Sequence, residues 1–195
     1  MLVTGFGPFD NFSINPTEQL VVYLDKKHSD VESMVLPVSY EKARNLILGR
    51  LSEKSYDSVL SFGLNPFIGH FNLEEIAINI RASEVPDVEG VKIEDEMIRE
   101  GGALGLRTRL PTSTIRDNLR KAGIPAKRSF SAGVYICNEV FYTLLDELDM
   151  KVKAGFIHVP QSTENISKEP RAYRSPHMSM NMIKRGAEII LDSIR

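Results

Sequence analysis

The 195-residue sequence predicts an α/β fold: a three-layer α/β/α sandwich around a mostly parallel, twisted sheet. Three observations point there. Short β-branched or apolar runs alternate with segments whose apolar residues recur every three or four positions. The connections between them are short and marked by glycine and proline. A 42% hydrophobic content suits one ordinary globular domain spanning 1–195.

The elements follow in order. Leu2-Val3-Thr4 reads as a strand running into a Gly5-Phe6-Gly7-Pro8-Phe9-Asp10 loop. Asn15-Pro16-Thr17 is a helix start, with proline in the first turn and Leu20, Val21 and Leu24 on one face. Glu32 to Val38 is a second strand, and Ser39 caps a helix with Ala43, Leu46, Ile47 and Leu51 inward. Tyr56 to Phe62 is a third strand, ending in Gly63-Leu64-Asn65-Pro66. Leu73 to Ile80 is read as one strand and Arg81 to Gly90 as a loop. Gly101, Gly102 and Gly105 mark a further loop and match no phosphate-binding fingerprint. Thr112 or Ser113 opens a helix with Ile115, Leu119 and Ala122 inward, closed by Gly123 and Pro125. Phe141, Leu144, Leu145 and Leu148 form the apolar stripe of the next helix, whose first turn holds Cys137. Ala154 to Val159 is a buried strand closed by Pro160, followed by a polar stretch from Ser162 to Pro176. The last helix carries Met178, Ile183, Ala187, Ile190, Leu191 and Ile194.

Composition narrows the function. A net charge of −2 gives no electrostatic case for nucleic acid or an anionic membrane. No apolar run approaches the ~20 residues that span a bilayer. The N-terminal sequence has no signal-peptide pattern and the chain has a single cysteine, which together suit the cytoplasm. The acceptor patterns at Asn11-Phe12-Ser13 and Asn165-Ile166-Ser167 are then chance matches. His28, His70 and His177 stand among polar or loop residues without metal-ligand spacing, so no metal and no cofactor is expected.

Cys137 is the residue around which the chemistry gathers. A lone cysteine is ordinarily a small buried hydrophobe. At a helix N-terminus, however, amide N–H groups and the helix dipole favour a thiolate. His158 lies on a downstream strand, and Glu74 and Glu75 on an upstream one. A cysteine, a histidine and an acid on three elements are the parts of a cysteine hydrolase.

Four segments resemble pyroglutamyl-peptidase type I, the pyrrolidone carboxyl peptidases. They are Gly5-Phe6-Gly7-Pro8-Phe9 with Asn15-Pro16, Glu74-Glu75-Ile76-Ala77-Ile78-Asn79, Ser131 to Asn138, and Gly155-Phe156-Ile157-His158-Val159-Pro160. The resemblance implies a Glu74–Cys137–His158 triad. It places Glu74 at the acid position and leaves Glu75, where most members have arginine, as a solvated carboxylate. It also implies that Phe6 and Phe9 sandwich a pyroglutamyl ring, that Val85, Tyr135 and Ile136 line its pocket, and that the Leu64 carbonyl accepts the ring N–H. The expected substrates are N-terminally pyroglutamylated peptides, and the expected assembly is a homo-oligomer, a tetramer in many members. Leu64-Asn65-Pro66-Phe67-Ile68 and Arg81-Ala82-Ser83-Glu84 depart from the family pattern, which has arginines in both regions. Two other readings keep the same residues: a Cys–His–Glu hydrolase of another small amide or ester, and a non-catalytic binding protein of this fold.

Overall fold

The computed structural model describes residues 1–9, 14–168 and 174–195. Asp10, the Asn11-Phe12-Ser13 pattern and the middle of the polar stretch before Pro176 lie outside them. In chain order the elements are β1 (Leu2–Phe6), α1 (Pro16–Lys27), β2 (Glu32–Leu36), α2 (Tyr40–Glu53), β3 (Ser58–Leu64), β4 (Phe71–Glu74), β5 (Ile76–Ile78), β6 (Gly105–Arg107), α3 (Thr112–Lys121), β7 (Ala126–Ser129), α4 (Ile136–Glu147), β8 (Lys153–Val159), β9 (Gln161–Ser162), α5 (Thr163–Ile166), β10 (His177–Met178) and α6 (Met180–Ile194).

Six strands form the central sheet in the order β2-β1-β3-β8-β4-β7. Every neighbouring pair is parallel except β4 and β8. The sheet's two faces bury separate cores. Val3, Leu60, Phe62, Leu73, Ile157 and Val159 pack against α1, α3 and α6. Leu2, Phe6, Val59, Ala154 and Phe156 pack against α2 and α4. This is the alternation of a strand covered on both sides, and each buried Leu, Ile or Phe contributes about 1.5–3 kcal/mol. The three-layer sandwich is the architecture expected from the sequence.

Helix starts follow the local chemistry. Asn15, Ser39 and Ser179 each accept a backbone N–H with the side chain, and Pro16 occupies the first turn of α1.

Several boundaries differ from the sequence reading. The β1 strand runs on through Phe6 and β3 through Leu64, so both residues end strands rather than follow them. The expected strand from Leu73 to Ile80 is two. At Glu75 the chain leaves the main sheet, because its N–H bonds the Ser129 carbonyl and its carbonyl takes the Thr108 N–H. Residues Ile76–Ile78 then pair antiparallel with Gly105–Arg107, a strand read from sequence as loop. The Ala126–Ser129 strand carries no apolar alternation in the sequence. Met178 belongs to β10, ahead of the last helix.

Candidate active site

Cys137 is the second residue of α4, whose N-cap is Tyr135. The turn leading into it requires Gly133, which has a φ of 82° and so lies in the left-handed region. Asn138 anchors the helix start by accepting the Ile78 N–H at 3.0 Å and donating to the Ile78 and Ile80 carbonyls, each at 2.9 Å. The free thiol is partly exposed.

His158 sits near the end of β8, between Gly63 of β3 and Asn72 of β4. The same antiparallel register puts Glu74 diagonally across from it on the same face. His158 Nδ1 lies 2.8 Å from Glu74 Oε1, and both side chains are almost wholly buried. Burial by itself favours the neutral ring. The negative charge and hydrogen bond of Cys137, and then those of Glu74, outweigh it, and the imidazole is raised to about 10. The ring is also held by Phe156, whose centroid is 5.0 Å away.

Gly63 provides the room for this arrangement. A Cβ there would lie 2.7 Å from Phe156 Cζ and 3.0 Å from Cys137 Sγ. The sulfur therefore occupies space that any other residue at position 63 would fill.

Above these groups opens a cleft lined by Phe6, Phe9, Leu64, Val85, Tyr135 and Ile136, with Cys137 and His158 on its wall. All nine residues singled out from the sequence but one, Glu74, reach this cleft, and Glu74 stands directly behind His158. Phe6 is 2% exposed and packs on Phe156 at 6.3 Å, so it belongs to the core as well as to the cleft. Val85 stands on the rim.

The family model described as pyroglutamyl peptidase matches residues 1–195. The pyrrolidone-carboxylate peptidase of Thermococcus litoralis is 39% identical over 85% of this chain and 78% of that protein. The Pyrococcus furiosus protein of the same name is 37% identical over 100% of this chain and 99% of that protein. The crystal structure of pyrrolidone carboxyl peptidase from Thermus thermophilus superimposes with a TM-score of 0.91 at 34% identity, covering 98% of each chain. The chain belongs to the pyroglutamyl peptidase family.

Within this family member, Glu75 corrects an expectation. It is not a solvated carboxylate but 2% exposed. Its side chain points away from His158, to Arg128 Nε at 2.5 Å, to the Thr112 hydroxyl, and to Arg107 Nε at 3.7 Å. Burial pushes its carboxyl up, but the hydrogen bonds from Arg128 and Thr112 more than offset this and hold it below its ordinary value. Adjacent strand residues facing opposite ways account for the division of labour between Glu74 and Glu75.

A second residue passed over by the sequence reading is Glu139, 1% exposed on α4. Arg81 pairs with it at 3.2 Å and with Glu96 at 2.8 Å, fastening the segment after Asn79 to the helix that carries Cys137. Its place between Asn138 and the apolar run Val140-Phe141 was the one available signal. Among the described residues, no group of three His, Cys, Asp or Glu is arranged to hold a metal, and no helix is long and apolar enough to cross a membrane.

Proposed function

We propose that this chain is a cysteine exopeptidase, one catalytic domain over 1–195, that removes N-terminal pyroglutamyl residues from peptides. The observation that carries the reading is the 2.8 Å contact from Glu74 to His158, with Cys137 beside that ring on the wall of a cleft lined by aromatic side chains.

Each group has a role in this reading. The Cys137 proton passes to His158, and Glu74 orients and stabilises the resulting imidazolium. The thiolate attacks the pyroglutamyl carbonyl. Asn138 and Glu139 give their amide N–H groups to the Tyr135 carbonyl, so the reading assigns the oxyanion to the Ile136 and Cys137 amides. His158 protonates the departing amine as the C–N bond breaks, leaving a thioester. Water, deprotonated by the same ring, then hydrolyses the thioester and releases pyroglutamate with the thiol restored.

A pyroglutamyl group is flat and uncharged, so it is served by aromatic faces with a few polar contacts rather than by an acidic clamp. Phe6, Phe9 and Tyr135 supply the faces, Val85 and Ile136 the apolar walls, and the Leu64 carbonyl the acceptor for the ring N–H.

Cytoplasmic location and a homotetramer complete the proposal on family resemblance. Phe67 and Leu104, at 85% and 83% exposure, are large apolar side chains available to such contacts. Analytical ultracentrifugation tests the assembly.

The function itself is tested by release of aminomethylcoumarin from its pyroglutamyl amide, with wild type beside Cys137→Ala. Turnover that vanishes in the variant is the expected result. No turnover by folded, reduced wild type overturns the substrate assignment and sends the search to other small amides and esters.

A further inference from the structure

The cleft wall that carries Val85 is a strap, residues 81–91, with no regular helix or strand of its own. Main-chain bonds hold its ends, from Ala82 N–H to the Val134 carbonyl and from Ser83 N–H to the Ile93 carbonyl, and one buried carboxylate organises the turn between them. Asp87 is 6% exposed, and its two oxygens collect three backbone N–H groups. Oδ1 takes those of Glu89 and Val91, each at 2.9 Å, and Oδ2 takes that of Tyr40 at 3.1 Å. The first two close the turn of the strap itself. The third ties the turn to the first residue of α2, where the positive end of the helix dipole favours a carboxylate.

The tie reaches two cleft residues. Val85 lies two positions before Asp87. Tyr40, whose N–H Asp87 receives, sets its ring edge-on to Tyr135 with centroids 5.6 Å apart. Tyr40 also donates its hydroxyl to the Ala82 carbonyl at 3.4 Å, and Tyr135 donates its own to the Pro86 carbonyl at 3.3 Å. We propose that Asp87 is a positioning residue for substrate recognition, fixing the Val85 wall relative to the Tyr135 ring where the two line the pocket for a flat neutral ring. It touches neither the reacting atoms nor Cys137 and His158. This inference rests on the proposed function and assigns the determinant of its substrate affinity.

The test compares wild type, Asp87→Ala and Asp87→Asn on the pyroglutamyl aminomethylcoumarin amide, alongside iodoacetamide alkylation of Cys137 and hydrogen exchange of the strap amides. Loosening the wall by an ångström or so should raise KM by about tenfold or more in Asp87→Ala while kcat stays within about threefold. Alkylation, which needs the thiolate but not the strap, should stay within about twofold. Asn keeps an acceptor oxygen for Glu89 and Val91, so Asp87→Asn should fall between the two and guards against a failure of the alanine variant to fold. Exchange at Glu89 and Val91 should accelerate while α4 stays protected. An unchanged KM, or kcat and alkylation falling together, overturns the inference. Should wild type itself not turn over, the substrate reading fails, and exchange alone decides Asp87: acceleration confined to the strap upholds its positioning role, and unchanged exchange refutes it.

Discussion

Replacing Gly63 by alanine adds a single methyl at the most crowded point of the site. The new Cβ would meet Phe156 Cζ at 2.7 Å, Cε1 at 2.8 Å and Cys137 Sγ at 3.0 Å. One neighbour must move. Phe156 is wholly buried, with Phe141 6.0 Å and Phe6 6.3 Å from its ring and His158 at 5.0 Å, so it has little room to yield. Overpacking of this kind costs about 1–3 kcal/mol. At about 2–4 °C of melting temperature per kcal/mol for a chain of this size, the loss is readily measured. The sulfur is the softer neighbour and is displaced with the ring. A shift of that order in a nucleophile costs about a hundredfold in kcat/KM.

Gly186→Ala is the matched control. Gly186 lies on α6, in the layer opposite the site, and its added Cβ would stand 2.5 Å from Cζ of Phe71 on β4. It crowds an equally buried ring without approaching the sulfur. The assay is kcat/KM on the pyroglutamyl coumarin amide beside thermal unfolding of both variants. Gly63→Ala should lose both rate and stability, and Gly186→Ala stability alone. If Gly63→Ala melts lower yet keeps kcat/KM within about threefold of wild type, Cys137 does not hold its reactive position beneath Gly63, and the packing argument fails.

Four further outcomes are expected. Cys137→Ser should nearly abolish turnover, because an alcohol is poorly activated in a site arranged for a thiol; steady-state kinetics decide it. The profile of kcat/KM against pH should fall on the alkaline side toward about 10, where His158 loses the proton it must give to the departing amine. The same raised value means that stability contributed by protonated His158 is complete below its ordinary value of 6.5 and is lost as pH rises through about 10, which chemical denaturation across that range measures. Finally, Glu74→Ala and Glu75→Ala should separate cleanly. The first should lose activity; the second should lose about 1–3 kcal/mol of stability by unpairing Arg128 and Thr112 while keeping most turnover.

What the sequence made legible were the features whose physical cause is local. The α4 stripe of Phe141, Leu144 and Leu145 is a helical period, and Ala154 to Val159 is apolar but for His158 because β8 is buried on both faces. The Ala126–Ser129 strand escaped because it lies at the sheet edge, half-exposed, and spells Ala-Lys-Arg-Ser without apolar alternation. Gly105–Arg107 escaped for the same reason: two of its three residues are exposed. Gly63 reads as a turn residue, yet it sits within a strand, and the ring and sulfur that forbid a side chain there come from positions 156 and 137. Glu74 and Glu75 are alike in sequence. Only their distant partners, His158 for one and Arg128 and Thr112 for the other, distinguish them.

The one antiparallel pairing in the sheet explains why the acid comes from β4. In a parallel neighbour, the residue diagonal to His158 would be reached as that strand too emerged toward the carboxyl edge, where the cleft opens. Because β4 runs the other way, its chain moves inward from Asn72, which pairs with His158, to Glu74, level with Phe156. The carboxylate is thereby placed deeper than the imidazole, 1% exposed and shielded by it, while the sulfur approaches from α4 on the cleft side. In the proposed triad, acid, base and nucleophile are thus ordered from interior to surface by strand direction. A carboxylate so placed holds the ring in one orientation and remains out of reach of substrate, as an orienting group in a Cys–His pair requires.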